Sequence, residues 1–150
     1  MSVAIALHVL AAIVWIGGMF FALLVLRPAA GKLEPPDRLP LWGRVFGRFF
    51  PWVWVAVVLL PVSGYWMIYS GWGGFSRLPL HVHLMQGIGW LMILVYLHLW
   101  FVPYKRLRKA LSARVFPDAA NQLNQIRILV TINLLLGLLN AVIGASGRYW

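Results

Sequence analysis

The sequence predicts an all-α fold, an integral membrane four-helix up-and-down bundle. Three observations lead there. Of the 150 residues, 62% are hydrophobic and only 11% charged, whereas a soluble domain carries about 25% charged residues. The mean hydropathy is +0.82. Four apolar runs, at about 3–26, 49–69, 80–102 and 126–145, each reach the roughly 20 residues a helix needs to cross a bilayer core. Lipid offers no partner to backbone N–H and C=O groups, so each run must satisfy them internally as a helix. Together the runs take up most of the chain, which reads as one transmembrane domain, 1–150.

The first run begins directly after Met1 and Ser2. Without a positive segment before it, and at spanning length, it reads as a retained helix rather than a signal peptide. The second contains Pro61, expected to kink it and release a carbonyl near Val57. The connection Ser70–Pro79 holds Gly71, Trp72, Gly73, Gly74 and Phe75, a tight turn with interfacial aromatics. The fourth run carries Asn133, Gly137, Asn140 and Gly144 at spacings of one helical turn. Small residues permit close helix approach and amides hydrogen-bond across it, so this face is expected to line the bundle core.

The formal net charge of +10 is concentrated in two places. Arg27, Lys32, Arg38, Arg44 and Arg48 follow the first run; Lys105, Arg106, Arg108, Lys109, Arg114 and Arg127 follow the third. Only Arg77 and Arg148 lie elsewhere. The positive-inside rule puts both basic connections in the cytoplasm of a bacterial-type inner (plasma) membrane, with both termini extracytoplasmic. Short basic loops between spans suit anionic headgroups of the lipid bilayer, and no nucleic-acid partner is expected.

Composition also removes chemistries. Without cysteine there is no disulfide, thiolate nucleophile, iron–sulfur cluster or covalently attached haem. The acidic residues Glu34, Asp37 and Asp118 all lie outside the apolar runs, which argues against paired-carboxylate catalysis or a carboxylate proton relay.

Histidine is left as the main carrier of chemistry, at His8, His81, His83 and His98. A bundle running up and down brings His8, His81 and His83 to one level, near the extracytoplasmic surface. His98 lies roughly 22 Å further along at 1.5 Å per residue, and reads as a side chain snorkelling at the other interface. His81 and His83 point about 200° apart on a regular helix, so only one faces the first helix. His83 has Gly87 and Trp90 below it, and His8 has Ala11, Ala12 and Trp15; small residues leave room for a flat macrocycle, or simply let helices pack. The pair His8 and His83 is therefore the first candidate for axial ligation of haem iron, with Trp15, Gly87 and Asn140 around it. His81 shares a face with Met85 and Met92, an imidazole–thioether set that suits Cu(I), although a Met stripe also serves as packing.

The residues also carry two family resemblances. The run from His8 through Trp15, Gly17, Gly18, Phe20 and Phe21 to Leu26, Arg27, Pro28 and Ala29 resembles the membrane domain of CopD copper-resistance proteins. So do Arg48, Phe49, Phe50, Pro51, Trp52 and Trp54, followed by Ser63 and Gly64. That resemblance implies copper homeostasis, as uptake or transfer at the outer face. The layout is also similar to HemJ, a four-helix membrane protoporphyrinogen oxidase associated with haem b. HemJ proteins share a His seven residues before a Trp, matched by His8 and Trp15. Their Leu-His-x-Lys is matched by Leu80 and His81, with His83 standing at the lysine position. Their Asn-Glu-x-Pro is matched only at Asn124, because Gln125 and Arg127 replace its Glu and Pro.

Three functions remain open at this point. The leading one is a membrane haem b protein with a redox role, an oxidoreductase passing electrons to or from quinone or another redox protein, and copper transfer is its alternative. The second is a copper-transfer protein using His8, His81, His83 and Met85. The third is a structural or assembly subunit, with homo-oligomerisation open in each case.

Overall fold

The computed structural model covers residues 1–150 and consists of four long helices without a strand. These are α1 (Ser2–Ala30), α2 (Pro35–Trp72), α3 (Leu80–Ser112) and α4 (Phe116–Tyr149). All four are long and apolar enough to cross a membrane. Between 22% and 28% of the most apolar window of each is buried inside the bundle. Much of the rest faces outward, as at Leu10, Ile13, Val62, Leu94, Leu135 and Val142, which lipid tolerates and water does not.

The helices run well past the expected spans, because the basic connections are themselves mostly helical. Pro35 opens α2 and Pro117 lies in the first turn of α4, where a missing N–H costs nothing; Asp37 and Asp118 add negative charge to those turns. Non-helical chain between α3 and α4 is confined to a few residues, with Arg114 at φ +55°. At the other end α2 stops at Gly73, whose φ of +70° lets its N–H reach the Ile68 carbonyl. Helix α2 passes through Pro40, Pro51 and Pro61 without interruption. Single π-helical turns occur at Ala22–Leu26 in α1 and Trp100–Tyr104 in α3. Pro28 follows the first by two residues and Pro103 lies within the second; a proline cannot donate the bond that a regular turn needs.

The closest packing is of α1 on α2 and of α3 on α4, while α4 also touches α1 and α2. Both basic connections lie at one end, the basic end, where Leu111 of α3 packs against Gly43 of α2. Phe46 and Phe50 stack there with centroids 4.9 Å apart. Tyr96, Trp100 and Tyr104 stand around Phe50 at 5.8, 6.0 and 4.7 Å, and the Tyr96 hydroxyl donates to the Phe50 carbonyl at 3.2 Å. This aromatic cluster anchors α2 to α3.

Candidate functional site

The end opposite the basic loops carries His8, His81 and His83, and each meets different surroundings. His8 is half-buried on α1. Its Nδ1 lies 2.8 Å from Ser63 Oγ on α2, and its ring rests over Gly64, where a Cβ would come within 3.6 Å of Cε1. Ser63 also reaches the Leu59 and Leu60 carbonyls, at 2.5 and 3.2 Å. A hydroxyl has one proton. With that proton on a carbonyl, Ser63 Oγ is an acceptor for His8, which favours the tautomer with the hydrogen on Nδ1 and the lone pair on Nε2. A ring fixed through one nitrogen with the other bare is how ligating histidines are oriented.

His81 lies in the seam between α3 and α4. A Cβ on Gly147 would run into the His81 ring. One turn deeper, a Cβ on Gly144 would be 2.8 Å from Met85 Cε and 3.2 Å from its Sδ. Deeper again, Gly137 is opposed by Met92 of α3 and Ile16 of α1, at 3.1 and 2.9 Å from a Cβ. A side chain at Gly147 would run into the base of the His81 side chain, whereas at Gly144 and Gly137 it would meet the flexible outer atoms of Met85, Met92 and Ile16. The expected α4 seam therefore exists, with His81, Met85 and Met92 packed against it. Asn133 donates to the Met92 carbonyl at 3.1 Å. The Oδ1 atoms of Asn133 and Asn140 are buried without a partner.

His83 is exposed, as are Gly87, Trp90 and Leu94 on its face, and a Cβ on Gly87 would touch nothing within 4 Å. On this side α3 reaches α2 through Gln86 Nε2 and Trp90 Nε1, which donate to the Tyr65 hydroxyl at 2.9 and 3.1 Å. Tyr65 and Ser63 are two residues apart, about 200° around α2. Helix α2 thus presents one side to His8 and another to the turns below His83. Trp15 is buried against Tyr96, with centroids 6.1 Å apart, so an aromatic pair fills the middle level between α1 and α3. His8 packs against Ser63 and Gly64 of α2, while His83 and Gly87 are exposed on α3, an arrangement that adds nothing in favour of a haem between the two histidines. His98 is exposed on α3.

No group of three or more histidine, cysteine, aspartate or glutamate side chains converges as a metal cage. What the opposite end offers instead is the imidazole of His81 one turn from the thioether of Met85, and separately the bare Nε2 of His8. Sequence reasoning named these side chains but not the Ser63–His8 bond. A serine two residues after a proline in a membrane helix was the available signal, since its hydroxyl can serve carbonyls and a neighbour together.

Against known proteins, the chain matches the family model for copper resistance protein D, CopD, over residues 43–146. The match covers more than half of the chain, and the chain belongs to that family. His81, Met85 and the α4 glycines from Gly137 to Gly144 lie inside the matched stretch, whereas His8 precedes it. Comparison with curated proteins and with solved structures gives no match.

Proposed function

We propose that this CopD-family membrane protein transfers copper as Cu(I), using His81 and Met85 in the α3–α4 seam. The observation that carries the reading is the shared placement of an imidazole and a thioether against Gly147 and Gly144. Soft thioether and imidazole donors favour Cu(I) over hard cations. With no third strong ligand converging there, the site holds copper weakly enough to release it, as transfer requires. Copper is the cargo here. The haem and electron-transfer reading, which led from the sequence, gains no support from the family match, and His83 is exposed while His8 packs against α2.

His8 serves as a second copper station at the same end, through the Nε2 left bare by its bond to Ser63. The positive-inside rule puts the basic end in the cytoplasm and these donors on the extracytoplasmic side of a bacterial-type plasma membrane. A reporter fused after Trp150 that is active only outside the cytoplasm supports this orientation; cytoplasmic activity reverses it.

The test of the site is Cu(I) affinity of the detergent-solubilised protein, measured without air by competition with a chromophoric chelator. His81→Ala and Met85→Leu should each weaken binding about 100-fold, at the upper end of what loss of an outer-shell partner costs. His83→Ala and His98→Ala should leave it unchanged. Unaltered affinity in both His81→Ala and Met85→Leu would reduce those side chains to packing. A Soret band in the purified protein would restore the haem alternative.

A further inference from the structure

At the basic end, away from the copper donors, α1, α2 and α4 enclose an open cavity of about 530 Å³. Each helix contributes one arginine to its lining: Arg27, Arg38 and Arg127, with Asn124 beside them. None of the three acidic residues of the chain, Glu34, Asp37 and Asp118, lines it. Arg38 Nη1 reaches only the Leu33 carbonyl, at 3.4 Å. Next to this polar rim, the wall is made of Leu23, Trp42 and Phe46. Three guanidiniums gathered from three helices repel one another unless an anion joins them. An apolar wall adjoining them offers nothing to a small hydrophilic anion but accepts a hydrocarbon chain.

We propose that this cavity binds one anionic phospholipid, its phosphate held by Arg27, Arg38 and Arg127 and an acyl chain lying against Leu23, Trp42 and Phe46. Guanidinium and phosphate match as paired donors and acceptors. The basic end sits at headgroup level, where such a lipid is already present. The site differs from a diffuse basic surface in that its charges come from α1, α2 and α4 and flank one cleft. Lys105, Arg106, Arg108 and Lys109, at the C-terminal end of α3, do not line it. A bound lipid would tie α1 to α4 beside the π-helical turn of α1.

The experiment uses the full chain, delipidated in a neutral maltoside detergent. Phosphatidylglycerol, phosphatidylcholine or inorganic phosphate is titrated while the melting midpoint is followed, and retained lipid is counted by native mass spectrometry. Phosphatidylglycerol should raise the midpoint and remain bound at one per chain; phosphatidylcholine and inorganic phosphate should do neither. In the double variant Arg38→Gln, Arg127→Gln, phosphatidylglycerol affinity should fall roughly 25-fold, from about fivefold per cation at the membrane surface. The pair Arg106→Gln, Lys109→Gln removes the same charge from exposed positions outside the cavity and should retain the effect. If the first double variant folds poorly, Arg127→Lys keeps the charge but not the paired geometry, and should still weaken binding. An equal response to phosphatidylcholine would overturn the proposal in favour of simple apolar filling. An equal response to inorganic phosphate would make it a free-anion site. An equal loss in both double variants would reduce it to diffuse surface charge.

Discussion

In the basic half of the bundle, helices meet ring against ring: Phe46, Phe50, Tyr96, Trp100 and Tyr104 form one contiguous cluster. In the opposite half they meet side chain against glycine, His8 on Gly64, Met85 on Gly144 and His81 on Gly147. The difference bears on function. Interlocked aromatic rings leave little freedom, so that half holds the helices in register. A glycine seam instead makes room for one polar or soft side chain at a time. On the proposed copper reading, stability and chemistry fall at different ends of the same four helices.

The largest effect that can break this division is on stability. Phe50→Ala removes the ring at the centre of the aromatic cluster. In lipid the transfer contribution largely drops out and the cavity contribution remains, so the expected loss is about 2–3 kcal/mol. Denaturant titration of the solubilised protein measures it. His81→Ala, tested the same way, should change stability by less than about 1 kcal/mol. Equal losses would show that the histidine end is also structural.

A smaller effect separates geometry from ligation. Ser63→Ala leaves His8 without the acceptor that holds its tautomer, and copper bound through His8 should weaken about tenfold. The readout is chelator competition in a His81→Ala background, which isolates the His8 station. An unchanged constant there would detach Ser63 from the copper chemistry.

Gly147→Ala sharpens the comparison further. The added methyl meets the His81 ring, so His81 must shift and copper affinity should fall severalfold. The cost in stability should stay near 1 kcal/mol, at the low end for overpacking. Gly87→Ala is the matched control, because nothing lies near its Cβ; it should leave affinity unaltered and raise helix stability slightly.

The smallest expected change concerns a turn rather than either half. Arg114 adopts φ +55° between α3 and α4, a conformation a glycine enters without steric cost. Arg114→Gly should raise the melting midpoint by an amount equivalent to about 0.5–1 kcal/mol. A lowered midpoint would mean that the arginine side chain contributes more there than its backbone conformation costs.

Hydropathy alone determined that this chain forms four membrane-length helices, because lipid leaves backbone polar groups no other solution. Residue spacing alone also put His8, His81 and His83 at one level and His98 at the other, since rise per residue does not depend on neighbours. The stripe Gly137, Asn140 and Gly144 announced the α4 seam in the same way. Tertiary structure decided which side of each helix faces which neighbour, and here the sequence was ambiguous between His81 and His83. A helix that is apolar all round has no preferred face until side-chain volumes interlock. The Tyr96–Phe50 cluster and the glycines opposite Met85 and Met92 set the rotation of α3, turning His81 into the seam and His83 outward. The Ser63–His8 bond joins residues 55 apart in sequence, and no local periodicity encodes which hydroxyl a histidine will meet. The three arginines of the basic-end cavity are likewise scattered along the chain, and the packing of α1, α2 and α4 is what brings them around one cleft.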